Sequence, residues 1–510
     1  MSEQVRKEVE RGARVNALGM LGKMAGPSFL VIVTRMYGAD AFGIFITASA
    51  LIEMAIAFLT AGFKDGALIF VSRHADDEAE HGHLYQSLAN ALAWSLAFSL
   101  MLILAALFIG PVILPDAYEF GDRLVGPLLA MTLALPLMAF DRVVLAATQG
   151  LKIMKFEALI NGGARPVLLL VSAIAFWFVA DDVRGLAAAY VVTQILIALI
   201  AVGIYSRELS WSRLGFAVRL FSLNREMISF AVPQNLNATF ERFITNVDIV
   251  MLGLFGIDAR TIGFYGAGSL IVRELRQIKL VFSGAFAPHI VRLFRKQRLE
   301  ELSLMFSTTS RWIARLVIPA IIAVAILRSD LLAIVSPEYS GEPALFMLFL
   351  LPIPYLQGSL GVAGNVVVMT GHSRFNLLNS IATGLSNVLL NLWLIPGYGL
   401  VGAAAASALA SLVRAVMELA EMVYILRVPL HLRELLQPHI AGVAAAVPAV
   451  LLFMFTTWPD RGVVERIAVL AASLAIYVSV LAALQGSVGT LLRRMRSGPP
   501  GLDSADSAES

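Results

Sequence analysis

IGFYGAGSLIVRELRQIKLVFSGAF, residues 262–286, is long and apolar enough to cross a bilayer, yet its middle carries Arg273, Glu274, Arg276 and Lys279. An isolated charge at the bilayer centre costs roughly 2.5–3.5 kcal/mol on insertion scales, so such residues face a bundle interior or a watery cavity. The preceding stretch, 228–255, repeats the pattern: it is apolar overall but includes Asn235, Asn237, Glu241, Arg242, Asn246 and Asp248. Two neighbouring membrane helices therefore line something hydrophilic.

The rest of the chain agrees. Apolar residues make up 58% of the 510, charged residues 15%, and the mean hydropathy is +0.79, whereas soluble domains carry about 25% charge. Net charge is +3 and the pI about 9.1, but the basic residues are distributed as a membrane topology requires, which argues against a nucleic-acid partner. With no cysteine, disulfides, thiolate catalysis and cysteine metal sites are excluded. Arg6, Lys7, Arg11 and Arg14 precede an apolar stretch, but Val15 to Val33 is too long for a cleaved signal and lacks a small-residue exit, so it reads as the first membrane helix.

A span needs about 20 mostly apolar residues. Breaking the chain at polar, Pro and Gly clusters gives fourteen spans: 15–36, 43–63, 87–110, 125–148, 158–179, 186–206, 228–255, 262–286, 305–327, 344–369, 376–396, 400–425, 437–457 and 464–485. With the N-terminus in the cytoplasm, the cytoplasmic segments hold 22 of the 39 Lys and Arg, against 7 in or beside the opposite loops and 10 within spans. That asymmetry is the positive-inside pattern, and it puts both termini in the cytoplasm. The tail 497–510 is small, polar and acidic and reads as disordered. No connection is long enough for a soluble catalytic domain, so no enzyme is expected.

An internal repeat is visible. Tyr37-Gly38-Ala39-Asp40 before Gly43 recurs as Phe255-Gly256-Ile257-Asp258 before Gly263. Thr148, Gly150 and Phe156 are answered by Thr370, Gly371 and Phe375, and Gly185 before Leu186 and three alanines by Gly402 before Ala403. The near-constant offset predicts two parallel six-helix lobes, 1–210 and 220–426, with an added helix pair in 437–485. Parallel repeats of this kind belong to transporters that bind substrate near the midplane and work by alternating access.

The stretch Thr34 to Phe45, TRMYGADAFGIF, resembles the R-x-x-G-x-x-x-(F/Y)-G first-loop pattern of polysaccharide-biosynthesis transporters. Phe63 to Arg73, FKDGALIFVSR, and Thr148 to Ile160, TQGLKIMKFEALI, fit the same family at the end of its second helix and between its fourth and fifth. With fourteen spans, the chain is similar to Wzx-like O-antigen or exopolysaccharide repeat-unit flippases of the multidrug/oligosaccharidyl-lipid/polysaccharide exporter superfamily. The resemblance implies an all-α, MATE-like polytopic fold and translocation of an undecaprenyl-pyrophosphate-linked oligosaccharide from the cytoplasmic leaflet. It implies as partners that substrate, membrane lipids and polysaccharide polymerase or export machinery, with the chain itself a monomer. In a lipid II flippase the extra helix pair is thought to form a lipid groove, and spans thirteen and fourteen here carry no ionisable residue away from their ends.

Such a substrate needs a hydrated cationic path, and the sequence supplies candidates. Arg273, Arg276 and Gln277 are spaced to share a helix face, with Lys279 on its flank; guanidinium forks suit pyrophosphate, and the alternative is a salt-bridge net with Glu274. Lys23, Asp141-Arg142 and Arg165 sit where they form a cationic entrance in the first half, and Arg242 lies beside the acidic face of Glu241, Thr245 and Asp248. Glu53, Glu241, Asp248 and Asp141 are the candidates to couple transport to Na⁺ or H⁺, against simple pairing with an Arg or Lys from another helix. Arg414 with Glu418 and Glu421 reads as locally neutralised. Gly22 and Gly26 suit helix packing, His81-Gly82-His83 reads as part of a solvated run, and no P-loop occurs, so no ATP hydrolysis and no further cofactor or metal site is expected. Two other readings stay open: a drug exporter of the same superfamily, which prefers an acidic cavity, and a polytopic glycosyltransferase or polymerase, which the missing loop domain disfavours.

Overall fold

A computed structural model describes residues 25–74, 81–219, 225–341, 344–430, 432–455 and 462–496. Lys23, Gly22, the acidic run 76–78 and the tail beyond Arg496 lie outside them. Every described element is helical: α1 Ala25–His74, α2 His81–Ala117, α3 Gly121–Thr132, α4 Leu135–Gly150, α5 Lys155–Trp177, α6 Val183–Glu208, α7 Trp211–Arg219 and α8 Arg225–Leu254, then α9 Ala259–Glu274, α10 Gln277–Arg295 and α11 Leu299–Val335. A short 3₁₀ turn Pro337–Tyr339 leads to α12 Leu345–Leu360, α13 Val362–Met369, α14 Ser373–Ala420, α15 Leu432–Phe455 and α16 Val463–Arg496. Lipid offers no partners to backbone N–H and C=O groups, and a helix satisfies them within itself.

Seven described helices are long and apolar enough to cross a membrane, nine if the bent pairs α3–α4 and α12–α13 each count as one span. Two of the seven reverse on themselves. In α1, Gly38 has φ 84°, and the rings of Phe29 and Phe45 lie 6.0 Å apart, where a straight helix would separate sixteen residues by about 24 Å. In α14, Gly399 has φ 52° and Asn387 Nδ2 donates to Ser407 Oγ at 3.0 Å. Each is thus an antiparallel pair turning at a glycine in the left-handed region. The fourteen stretches read from the sequence lie largely on helix where they are described, with turns inside 125–148, 262–286 and 344–369. The paired positions of the repeat also behave alike: Gly38 and Gly256 both have positive φ, 84° and 74°. A Cβ on Gly185 would strike the Ala180 carbonyl, and one on Gly402 the Leu394 carbonyl.

The helices form two compact units. The first comprises 1–272, 329–353 and 372–417, and the second 273–328, 354–371 and 418–510. In the first, a core of Phe70, Leu88, Val143, Val144, Leu145, Ile197 and Tyr205 joins α1, α2, α4 and α6. Only 11% of the most apolar stretch of α2 is buried, and Phe108 and Val112 are about three-quarters exposed, which is the surface a lipid-facing helix presents. In the second unit, Ile322, Ile326, Ala441, Ala445 and Tyr477 pack α11 against α15 and α16.

The decisive stretch differs from the expectation in one respect. Residues 262–286 are two helices, not one, because the chain turns at Leu275 and Arg276, where Arg276 N donates to Arg273 O at 3.1 Å. Arg273 thus lies in the last turn of α9 while Gln277 begins α10, so the uninterrupted face expected for Arg273, Arg276 and Gln277 is divided by the break.

Candidate functional site

At one end of the first unit the α1 reversal meets α9. Gly43 lies so close to α9 that a Cβ there would sit 2.5 Å from the Ala259 carbonyl carbon and 3.1 Å from Gly263 N. Glu338, on the 3₁₀ turn, accepts the Ala39 N–H at 3.1 Å and pairs with Arg260 at 3.8 Å, while Arg260 Nη2 donates to the Glu338 carbonyl at 2.6 Å. Arg35 Nε donates to Ile334 O at 3.0 Å. Tyr37 donates to Ala173 O at 2.6 Å. These contacts shut this end of the unit.

Deeper in the same unit, Glu53 of α1 is shared by two arginines from different helices, Arg142 of α4 at 3.5 Å and Arg242 of α8 at 3.4 Å. One carboxylate against two guanidiniums leaves a unit of positive charge, and the Arg242 side chain is 53% exposed although it sits mid-helix. Beside this group, Arg165 donates to buried Asp141 at 2.8 Å, to Gln194 at 2.7 Å and to Asn161 at 3.0 Å. A π turn, Ile160–Ala164, built on Gly162 and Gly163, aims Arg165 into this cluster.

A second polar site joins α8 to the two arms of α14. Buried Asp248 accepts hydrogen bonds from Tyr265 Oη at 2.8 Å, Asn391 Nδ2 at 2.9 Å and Ser407 Oγ at 2.5 Å, and Asn391 Nδ2 is also 2.9 Å from Asn387 Oδ1. Asn391 Oδ1 is buried without a hydrogen-bond partner. Two turns earlier in α8, Glu241 accepts from Arg414 Nη1 at 2.6 Å and Ser380 Oγ at 2.9 Å; Arg414 also reaches Asn376 at 3.3 Å, so its partner is on another helix as well as any on its own.

Arg273, Arg276 and Lys279 belong to the second unit. There Arg276 donates to Gln357 Oε1 at 3.0 Å and Lys279 to the Gly361 carbonyl at 3.0 Å. Gln357 lies in the π turn Leu356–Leu360 and Gly361 directly follows it. The sequence-predicted residues thus gather in three places: Glu53, Asp141, Arg142, Arg165 and Arg242; Glu241 and Asp248; and Arg276 and Lys279.

Sequence reasoning missed the partners of Asp248. A signal existed: Asn379, Thr383, Asn387 and Asn391 recur every fourth residue in an apolar span, and all four are buried, forming a polar stripe along one face. It also missed Gln357 and Glu338, which no spacing marks. Among the described residues, no group of three His, Cys, Asp or Glu is placed to hold a metal ion.

A sequence model of the family described as "Polysaccharide biosynthesis protein" matches residues 11–294, more than half of the chain. The chain belongs to this family. No curated protein matches it. Among solved structures, the fold is similar to the lipid II flippase MurJ in an inward closed conformation, with a TM-score of 0.71 at 11% identity over 93% of this chain and 99% of that one. It is similar to an inward-facing multidrug-resistance MATE transporter of the MOP superfamily, with a TM-score of 0.65 at 15% identity over 81% and 99%. A third likeness is the MATE multidrug transporter DinF-BH in complex with R6G, with a TM-score of 0.60 at 18% identity over 84% and 96%. This member of the polysaccharide biosynthesis family is therefore an all-α multi-pass membrane protein with the fold of the MurJ and MATE transporters.

Proposed function

We propose that the chain carries a lipid-linked oligosaccharide, joined through pyrophosphate to a polyprenyl lipid, from the cytoplasmic to the outer leaflet of a bacterial inner membrane by alternating access. The observation that carries this reading is the Glu53 cluster. Two guanidiniums on one carboxylate leave a positive charge mid-bundle, and Arg242 is half-exposed there. A drug cation would be repelled by that charge, whereas a pyrophosphate gains bidentate hydrogen bonds to it. Family membership supports the polysaccharide substrate. The closed contacts at Gly43 and Glu338 correspond to a state shut on the outer side, with both termini in the cytoplasm.

For the driving ion, Asp248 is the strongest of the four carboxylates. Glu53, Glu241 and Asp141 each have an arginine partner, and Asp248 is held by the neutral donors Tyr265, Asn391 and Ser407. A proton or a monovalent cation on this buried carboxylate, which is held by neutral donors, is the coupling ion. Either neutralises a carboxylate that is otherwise costly to bury.

The test is reconstitution in vesicles with a fluorescent pyrophosphate-linked glycolipid, comparing the wild type with Arg242→Ala, Arg273→Ala and Arg276→Ala. Flipping by the wild type that falls in Arg242→Ala supports the reading; flipping unchanged in all three variants sinks the anionic path.

A further inference from the structure

The ion pairs inside the first unit differ in tightness. Arg165 meets Asp141 at 2.8 Å and Arg414 meets Glu241 at 2.6 Å, as short as strong charge-assisted hydrogen bonds, about 2.7–2.9 Å. Glu53 reaches neither of its cations so closely. Its Oε1 is 3.5 Å from Arg142 Nη2 and its Oε2 is 3.4 Å from Arg242 Nη1, so one carboxylate is strung between two guanidiniums on different helices. Glu241, next to Arg242 in the chain, does not replace it: successive helix residues point about 100° apart, and Glu241 is taken by Arg414 and Ser380 of α14. The place between the arginines is also open. The Glu53 side chain is 32% exposed and that of Arg242 53%, whereas the Asp141 side chain is fully buried.

The carboxylate has another place to go. Ser49 lies one turn before Glu53 on α1, and its Oγ is buried without a hydrogen-bond partner among the described residues. Helical side chains lean toward the N-terminus, over the residue four positions back, so Glu53 leans toward Ser49. A hydroxyl proton that has no acceptor in this arrangement suits a carboxylate released from arginine. The two guanidiniums, in turn, suit an anion with more oxygens, more widely spread, than a carboxylate has. A pyrophosphate carries two phosphoryl groups, one for each guanidinium, and takes bidentate hydrogen bonds from both.

We propose that Glu53 is a tethered stand-in for the substrate's anion: in the empty protein it holds Arg142 and Arg242, and an arriving pyrophosphate displaces it toward Ser49. This role rests on the reading of the Glu53 cluster as the pyrophosphate site. Exchange gives the site a property that two bare arginines lack. Arg142 and Arg242 are never left without an anion inside the bundle, where an uncompensated charge is costly, and the returning carboxylate helps to expel the ligand into the opposite leaflet. Affinity suffers in return: if Glu53 occupies the arginines about nine-tenths of the time in the empty protein, it weakens binding roughly tenfold.

The experiment titrates the full-length protein in detergent with farnesyl pyrophosphate and, separately, with farnesol, its uncharged counterpart. Glu53→Gln is expected to bind the pyrophosphate roughly tenfold more tightly than the wild type, to bind farnesol as the wild type does, and to melt at a lower temperature because two guanidiniums lose their carboxylate. Affinity and stability then move in opposite directions, whereas a merely structural Glu53 would lose both together. Glu53→Asp, whose shorter side chain reaches both arginines less well, is expected to lie between. In vesicles, flipping of the pyrophosphate-linked glycolipid by Glu53→Gln is expected to saturate at lower substrate and to run more slowly at saturation, because the anion is no longer expelled. A wild type that prefers the pyrophosphate to farnesol, with a Glu53→Gln that binds it no more tightly, overturns this role alone. Indifference of both proteins to the pyrophosphate overturns the anionic site and this role with it. If Glu53→Gln does not fold, Glu53→Asp decides, with affinity equal to or below that of the wild type counting against the exchange.

Discussion

Substituting Gly43 by Ala places a methyl group where the backbone of α9 already lies. The new Cβ falls 2.5 Å from the Ala259 carbonyl carbon and 3.1 Å from Gly263 N, whereas unstrained carbon contacts need about 3.5–4.0 Å. The obstructing atoms, the Ala259 carbonyl and Gly263 N, are all main chain, so no rotamer change relieves the clash, and the two helices must separate by more than about 1 Å. Overpacking of this kind costs about 1–3 kcal/mol. Spent on one conformation of a two-state transporter, it shifts the equilibrium away from the closed contact by roughly 5- to 150-fold. The protein contains no cysteine, so Ala259→Cys, at a position only 1% exposed, provides a single reporter for a membrane-impermeant maleimide. Labelling is expected to accelerate by about that factor when Gly43→Ala is added, with the gel-filtration profile retained. Labelling and melting temperature both unchanged would refute the claim that Gly43 and Ala259 seal this end.

Other substitutions separate strong from weak contacts. Arg165→Ala strands buried Asp141 without its guanidinium and is expected to cost about 3–5 kcal/mol, read as a large drop in melting temperature in detergent that Arg165→Gln combined with Asp141→Asn mostly restores. Glu338→Gln removes the charge from a pair about half exposed on each side, worth about 0–1 kcal/mol; its oxygen still accepts the Ala39 N–H, so maleimide labelling at position 259 should rise less than about fivefold, and less still in high salt. Asp248→Asn keeps an oxygen for Tyr265 and Ser407, so melting should change little, while any dependence of flipping on a Na⁺ or pH gradient should vanish.

The membrane class, the helix boundaries and the reversals were legible because apolar runs of about 20 residues and glycine at a turn are local signals. Gly38 and Gly256, paired by the repeat, share a positive φ. Charged residues inside spans were equally visible, and most occupy polar clusters. Their partners were less so: Glu53 with Arg142 and Arg242, and Glu241 with Arg414, join residues 89 to 189 positions apart, and no spacing rule reaches across helices. Helical spacing also misled at Arg273 and Arg276, because the turn at Leu275 contains neither Gly nor Pro to announce it. The stripe from Asn379 to Asn391 was readable, since polar residues every fourth position in an apolar span have to face one another's partners.

The central claim, that a positive charge in excess around Glu53 accepts an anionic lipid-linked glycan, is tested most directly by binding. Purified protein is titrated with a pyrophosphate-linked glycolipid and, separately, with its uncharged glycosyl-lipid counterpart, for the wild type and Arg242→Ala. Tighter binding of the pyrophosphate form, weakened by roughly tenfold or more in Arg242→Ala and unaltered for the neutral lipid, is the predicted result. Equal affinity of the wild type for the charged and neutral lipids would contradict it.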